Sequence, residues 1–168
     1  RPKSSAASDV YKRQLHRSED RGDSWTEISP DLSRNQDRFQ LPFMDRVWSI
    51  DGLWDLYAMS QYGNITSISE SPIVEGLLYV GTDDGLIQVS EDGGSNWRSV
   101  DKIFGVPEGF FVNDIKADLH DPDTVYAVMD DHKTGDYDPY VVRSTDRGRT
   151  WAPICLLYTS PSPRDGRE

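Results

Sequence analysis

Cysteine is nearly absent: among 168 residues there is one, Cys155. With a single thiol no disulfide can form within the chain, so a disulfide-stapled scaffold is ruled out. Histidine is scarce too. His16, His120 and His132 stand isolated among polar residues, with no second ligand at the spacing a zinc site uses. No stretch approaches the roughly 20 apolar residues of a membrane-spanning helix, and the first residues have no apolar core of a secretory signal. Basic residues are outnumbered, 18 Lys and Arg against 29 Asp and Glu, for a net charge of −11. Such a surface repels phosphate backbones and anionic bilayers at long range, which argues against nucleic acid as a partner and against membrane insertion. A G-x-x-x-x-G-K-[ST] phosphate loop, a G-x-S-x-G elbow and a strand-borne G-x-G-x-x-G are all missing.

What is present argues for a folded, polar domain. Aromatic residues make up 11%, five of them Trp, which is against intrinsic disorder. The length suffices for one ordinary core. The two ends differ from the rest. Residues 1–14 (RPKSSAASDVYKRQ) and 155–168 (CLLYTSPSPRDGRE) show no hydrophobic periodicity and match no strand pattern. They resemble translated sequencing-adapter read-through, so both are expected to be non-native or disordered tails. The ends carry a net +3, which leaves Leu15–Ile154 at −14.

Within Leu15–Ile154 one octet occurs three times, as S-x-D-x-G-x-x-W. Its fixed positions are Ser18, Asp20, Gly22 and Trp25; then Ser90, Asp92, Gly94 and Trp97; then Ser144, Asp146, Gly148 and Trp151. An apolar-containing stretch precedes each copy, and a β-branched residue (Ile28, Val100, Ile154) follows each Trp by three positions. The chemistry is that of a hairpin. A strand ends at Ser, whose hydroxyl can bond local backbone, and Asp accepts from turn N–H groups. Gly supplies a positive φ. Trp opens the outgoing strand and lays a large apolar face over the turn.

The octet resembles the Asp-box, or bacterial neuraminidase repeat, of sialidases, sortilins and xyloglucanase-type glycoside hydrolases. The resemblance implies an all-β fold, a β-propeller fragment of four-stranded antiparallel blades in which each box joins the third and fourth strands. The chain fits that template. Ile65–Ser71, Leu77–Thr82, Leu86–Ser90 and Trp97–Val100 read as one blade. Phe111–Ala117, Thr124–Met129, Tyr140–Ser144 and Trp151–Ile154 read as the next, with Asp130–Pro139 as a long polar loop. Leu15–Ile28 supplies the last two strands of an earlier blade, giving about two and a half blades.

Boxes one and two are 72 residues apart and boxes two and three 54. The surplus lies in 29–64, where Val47, Ile50, Trp54 and Tyr57 follow a helical stripe with Gly52 as a mild breaker. A short helical insertion is expected there. It is also the candidate ligand-binding segment: Trp48, Asp51, Trp54 and Asp55 combine aromatic platforms with carboxylates, as sugar clefts do. Two carboxyls some 5–9.5 Å apart would serve a glycosidase; an amphipathic plug packed on a blade accounts for the same pattern. The acidic stretches Asp83-Asp84, Asp121–Asp123, Asp130-Asp131 and Asp136–Asp138 are of a type calcium accepts, but they form no dedicated metal loop. The expectation is no cofactor, with calcium as the one cation to consider.

The three box carboxylates invite a catalytic reading, but their place in the turn accounts for them, and in the resembling families the box lies at the blade periphery. A sialidase's arginine triad, Tyr/Glu pair and Arg-Ile-Pro stretch cannot be matched here. Phrases such as Leu78–Gly85 (LYVGTDDG) before a box, and Trp54–Asn64 (WDLYAMSQYGN), resemble bacterial exported sortilin-like or BNR-repeat glycosyl hydrolase-like proteins. That likeness implies an extracytoplasmic module that binds or scaffolds a protein or glycan, alongside the remaining blades of its parent protein. The alternative it implies is part of a xyloglucanase-like glycoside hydrolase.

Overall fold

The computed structural model describes residues 5–8, 13–37, 40–43, 46–47 and 62–154. Among the described residues four antiparallel sheets follow one another along the chain. The first holds β1 (Ser5–Ser8), β2 (Leu15–Ser18) and β3 (Thr26–Glu27), in that order. A two-stranded hairpin of β4 (Pro42–Phe43) and β5 (Arg46–Val47) comes next. The middle sheet is β6 (Ile65–Glu70), β7 (Leu78–Thr82), β8 (Ile87–Ser90) and β9 (Arg98–Val100). The last is β10 (Phe111–Ala117), β11 (Val125–Asp131), β12 (Asp136–Ser144) and β13 (Ala152–Pro153). Both four-stranded sheets run in simple sequence order, each strand pairing with the next. Each is a meander of the kind expected for a blade.

Three features differ from the reading of the sequence. The stretch 130–139 is mostly strand: β11 and β12 extend until Asp131 faces Asp136 across a tight turn. Thr134 Oγ1 donates to the Asp131 carboxylate at 2.6 Å, and Gly135 takes φ 91°. A hairpin projecting past the core has no apolar face to bury, so its strands lack the alternation that marks the others. Second, Ser5–Ser8 forms a strand on β2 although it has no strand pattern; β2 would otherwise present an unpaired backbone edge, which accepts any extended segment. Third, Val47, first residue of the helical stripe, lies in β5. A two-residue hairpin needs no periodicity and leaves no signal in a helical count. The remainder of that stripe lies outside the described residues.

The sheets stack face to face. Leu77, Tyr79, Ile87 and Val89 of the middle sheet share one core with Val112, Ile115, Val125, Ala127, Met129 and Val142 of the last. On its opposite face Val80 packs with Leu15 and Leu32, flanked by Ile28, Ile65, Ile68 and Trp97. The approach is closest at Gly81, where a Cβ would run into the Val112 side chain. Hydroxyls close the polar gap along the edge strands. Ser67 Oγ and Ser69 Oγ accept from the backbone N–H of Ile115 and Ala117, at 2.9 and 3.0 Å, and Thr66 Oγ1 donates to Val112 O at 2.6 Å. The Thr-Ser-x-Ser of β6 thus satisfies backbone groups of β10 that no strand pairs.

Candidate functional site

The three octets form the β2–β3, β8–β9 and β12–β13 turns, and they repeat one hydrogen-bond plan. The serine hydroxyl accepts from the octet glycine N–H, at 2.6, 2.9 and 2.8 Å for Ser18, Ser90 and Ser144. It donates to the aspartate Oδ1 at 2.8, 2.9 and 2.7 Å. That same Oδ1 accepts the backbone N–H of Ser24, Asn96 or Thr150 at 2.8 Å in each case. Oδ2 takes the side chain of the same residue at 2.6 Å. The glycines Gly22, Gly94 and Gly148 all have positive φ. So does the residue before each, Arg21, Gly93 or Arg147, a feature the repeated identities did not reveal. Trp97 and Trp151 donate Nε1–H to the octet glycine carbonyl at 2.9 and 3.1 Å, so each indole seals its own turn.

These bonds set the carboxylate chemistry. Hydrogen bonds from Ser24 and Ser18 hold Asp20 far below the usual carboxylate range. Asp92 is lowered by Asn96 and Ser90. For Asp146 desolvation works upward, but bonds from Thr150, Ser144 and Arg149 outweigh it and bring it down to about 2. Carboxylates fixed in the ionised form and occupied by turn donors are poor general acids.

In a meander alternate turns fall at opposite ends, so the β7–β8 and β11–β12 turns lie away from the octets. There the structure gathers residues from three parts of the chain. Asp83, buried, accepts at Oδ1 from the N–H of Gly63 and Asn64, at 2.8 and 2.7 Å, and at Oδ2 from Asn64 Nδ2 at 3.0 Å. Asp84, also buried, accepts from Arg34 N–H at 2.7 Å and Thr82 Oγ1 at 2.6 Å. Lys133, on the β11–β12 turn, donates to the Asp83 carbonyl. Its Nζ lies 4.2 Å from the Tyr62 ring centroid and 5.1 Å from that of Phe111. His132 stacks at 5.0 Å on Phe111 and bonds Asp130 at 2.6 Å.

Burial dominates here. It brings the Lys133 ammonium down to about 8, against the pull of Asp83, Asp84, Asp131 and Asp130. It also pushes Tyr62 up to about 12, with Asp84 and Asp83 adding to the rise. Asp84 is raised by desolvation, opposed by its bonds to Thr82 and Arg34.

Trp48, Asp51, Trp54 and Asp55 lie outside the described residues. Chain direction enters the segment from β5 and leaves it at Tyr62, beside Lys133. Of the acidic stretches, Asp83-Asp84 and Asp130-Asp131 join the cluster, while Asp121 and Asp123 sit in the β10–β11 turn on the octet side. Among the described residues no group of three or more His, Cys, Asp or Glu is placed to hold a metal ion. Tyr62 reads in the sequence as one more aromatic of the candidate segment, whereas Lys133 draws no notice, because it belongs to no repeated position and its contacts span about 50 residues or more.

No family model and no curated protein matches the chain. Among solved structures, "YCF48 bound to D1 peptide" superposes on 90% of this chain and 36% of its own, with a TM-score of 0.54 and 16% identity. YCF48 from Cyanidioschyzon merolae covers 60% of this chain and 25% of its own (TM-score 0.40, 21% identity). The GH74 xyloglucanase from Xanthomonas campestris covers 86% and 27% (TM-score 0.34, 16% identity). The first of these fixes the class: the chain is part of a β-propeller, and the two meanders are its blades. It spans about a third of that structure's length. At this identity the likeness carries the fold and nothing finer.

Proposed function

We propose that the chain is part of an exported Asp-box propeller whose work is binding, with a protein or glycan ligand held at the blade end opposite the boxes. The observation that carries this reading is Lys133 set between the Tyr62 and Phe111 rings, at the seam of two blades and where the chain emerges from the aromatic-rich segment 48–61. Rings, a half-buried ammonium and exposed carboxylates such as Asp138 are the groups by which peptides and glycans are oriented. The YCF48 structure, of the same fold, was solved with a peptide bound. The box carboxylates support the reading by default, since every one is taken up by its turn.

A glycoside hydrolase is the second reading. In its favour stands Asp84, whose burial raises its proton affinity as a general acid's must be raised. Against it, both Asp84 oxygens are already bonded. A glycan and peptide array combined with a hydrolysis screen on the complete protein separates the two. Binding without turnover, weakened several-fold by Lys133→Ala, supports the module; turnover abolished by Asp84→Asn supports the hydrolase. Export rests on the family resemblance, and a full reading frame without a signal peptide would refute it.

A further inference from the structure

The two junctions between neighbouring sheets differ at the octet rim. Between the middle and last sheets the space is filled from within the chain. Arg98, the residue after Trp97, sends Nη1 to Gly148 O at 2.8 Å and Nη2 to Arg147 O at 2.7 Å. The carbonyl of Gly148 takes this guanidinium in addition to the Trp151 indole N–H. Glu91 adds a bridge to Arg149 at 2.6 Å.

Between the first and middle sheets the same acceptors stand in the same places. Gly93 and Gly94 of the second octet occupy the positions of Arg147 and Gly148 in the third, and Gly94 O likewise accepts its own Trp97 indole N–H at 2.9 Å. The residue after Trp25, however, is Thr26, too short to reach across. A groove of about 410 Å³ remains, lined by Arg17, Glu27, Ile28, Gly93, Gly94 and Ser95. Arg17 is paired with Glu19 at 3.0 Å and donates to neither octet carbonyl.

The geometry points to this groove as a binding site for an arginine side chain of a partner protein, presented on a basic segment, with the guanidinium on the carbonyls of Gly93 and Gly94 as Arg98 sits on those of Arg147 and Gly148. Two carbonyls on successive residues match the two-pronged fork of a guanidinium, which the point charge of lysine does not reproduce. Glu27 supplies a carboxylate at the mouth, and the net charge of −11 favours a cationic partner. The groove lies between outer strands, at the end away from Lys133, so it stands independently of the ligand face proposed above.

The test is an NMR titration of the full chain with acetyl-Gly-Arg-Gly-amide, and with the same peptide carrying neutral citrulline. The arginine peptide is expected to give saturable shifts at the amides of Gly93, Gly94 and Ser95, with citrulline weaker by about tenfold or more, the difference a charge-assisted fork makes. Thr26→Arg, which supplies the missing guanidinium from within, should abolish those shifts and raise Tm. Arg98→Ala should open a second site, seen as new shifts at Gly148 and Arg149. Equal response to the two peptides, no shift at Gly93–Ser95, or binding undiminished by Thr26→Arg in a folded chain would overturn the proposal.

Discussion

The middle and last blades share a sequence plan but bury it differently. Every residue of β7 is buried, whereas β11 alternates between buried and half-buried along its length. The repeat places Tyr79 and Tyr126 at matching positions, each opposite the residue just before an octet serine. Tyr79 is fully buried against the last blade, and burial pushes its hydroxyl up to about 12; Tyr126 keeps part of its ring in solvent. Stacking, rather than strand propensity, therefore decides what a blade residue contributes. A sheet with a neighbour on both faces reads as a continuous apolar run, while one with a single neighbour shows the alternation of a half-covered sheet.

That contrast is open to direct attack, beginning with the largest effect. Tyr79→Ala should cost about 3–5 kcal/mol in a chemical melt, as deleting a buried aromatic does. Tyr126→Ala should cost less than about 1 kcal/mol, the usual figure for a surface change. Comparable losses would mean that the two faces are covered alike. Next comes Gly81→Ala, which forces a methyl into the Val112 side chain and should cost about 1–3 kcal/mol by overpacking. Val128→Ala, on the last blade's open side, should be near neutral, so equal Tm shifts for these two would contradict the packing described.

A smaller effect separates the two ends of the blades by pH. The octet carboxylates have depressed folded-state values, so their stabilisation is full above the ordinary range near 4. It is lost as pH falls toward about 2, where Asp146 itself titrates. Lys133 has the opposite consequence. Between about 8 and its ordinary 10.5 the unfolded chain still holds a proton that the folded one has released, so stability from this group rises with pH. Lys133→Met should remove that rise and leave the acid limb intact; a basic limb unchanged in the variant would locate it elsewhere. Smallest of all, a calcium chelator should leave Tm unmoved, because the oxygens of Asp83, Asp84 and Asp130 are already bonded to donors of the chain itself.

How much of this was legible in the sequence follows from how local each signal is. The octets and blade strands were, because turn chemistry and period-2 burial are written within about ten residues, as in Ser90–Trp97 and Phe111–Ala117. The extension of the β11–β12 hairpin through 130–139 reads as a loop, since its polar residues pass the core edge and carry no burial pattern. Lys133 and Asp83 meet across 50 positions, as do Arg34 and Asp84, and such pairs depend on how blades stack. The guanidinium of Arg98 on the third octet was invisible for the same reason.

Asp92→Ala, followed by thermal melting and by ligand binding on the folded protein, tests most directly whether the boxes are turn fasteners. Removing the carboxylate leaves the Asn96 N–H and side chain without their acceptor, so Tm should fall while binding by the folded fraction stays as in the parent. An unchanged Tm with binding or turnover abolished would place the box carboxylates inside a functional site and contradict the account.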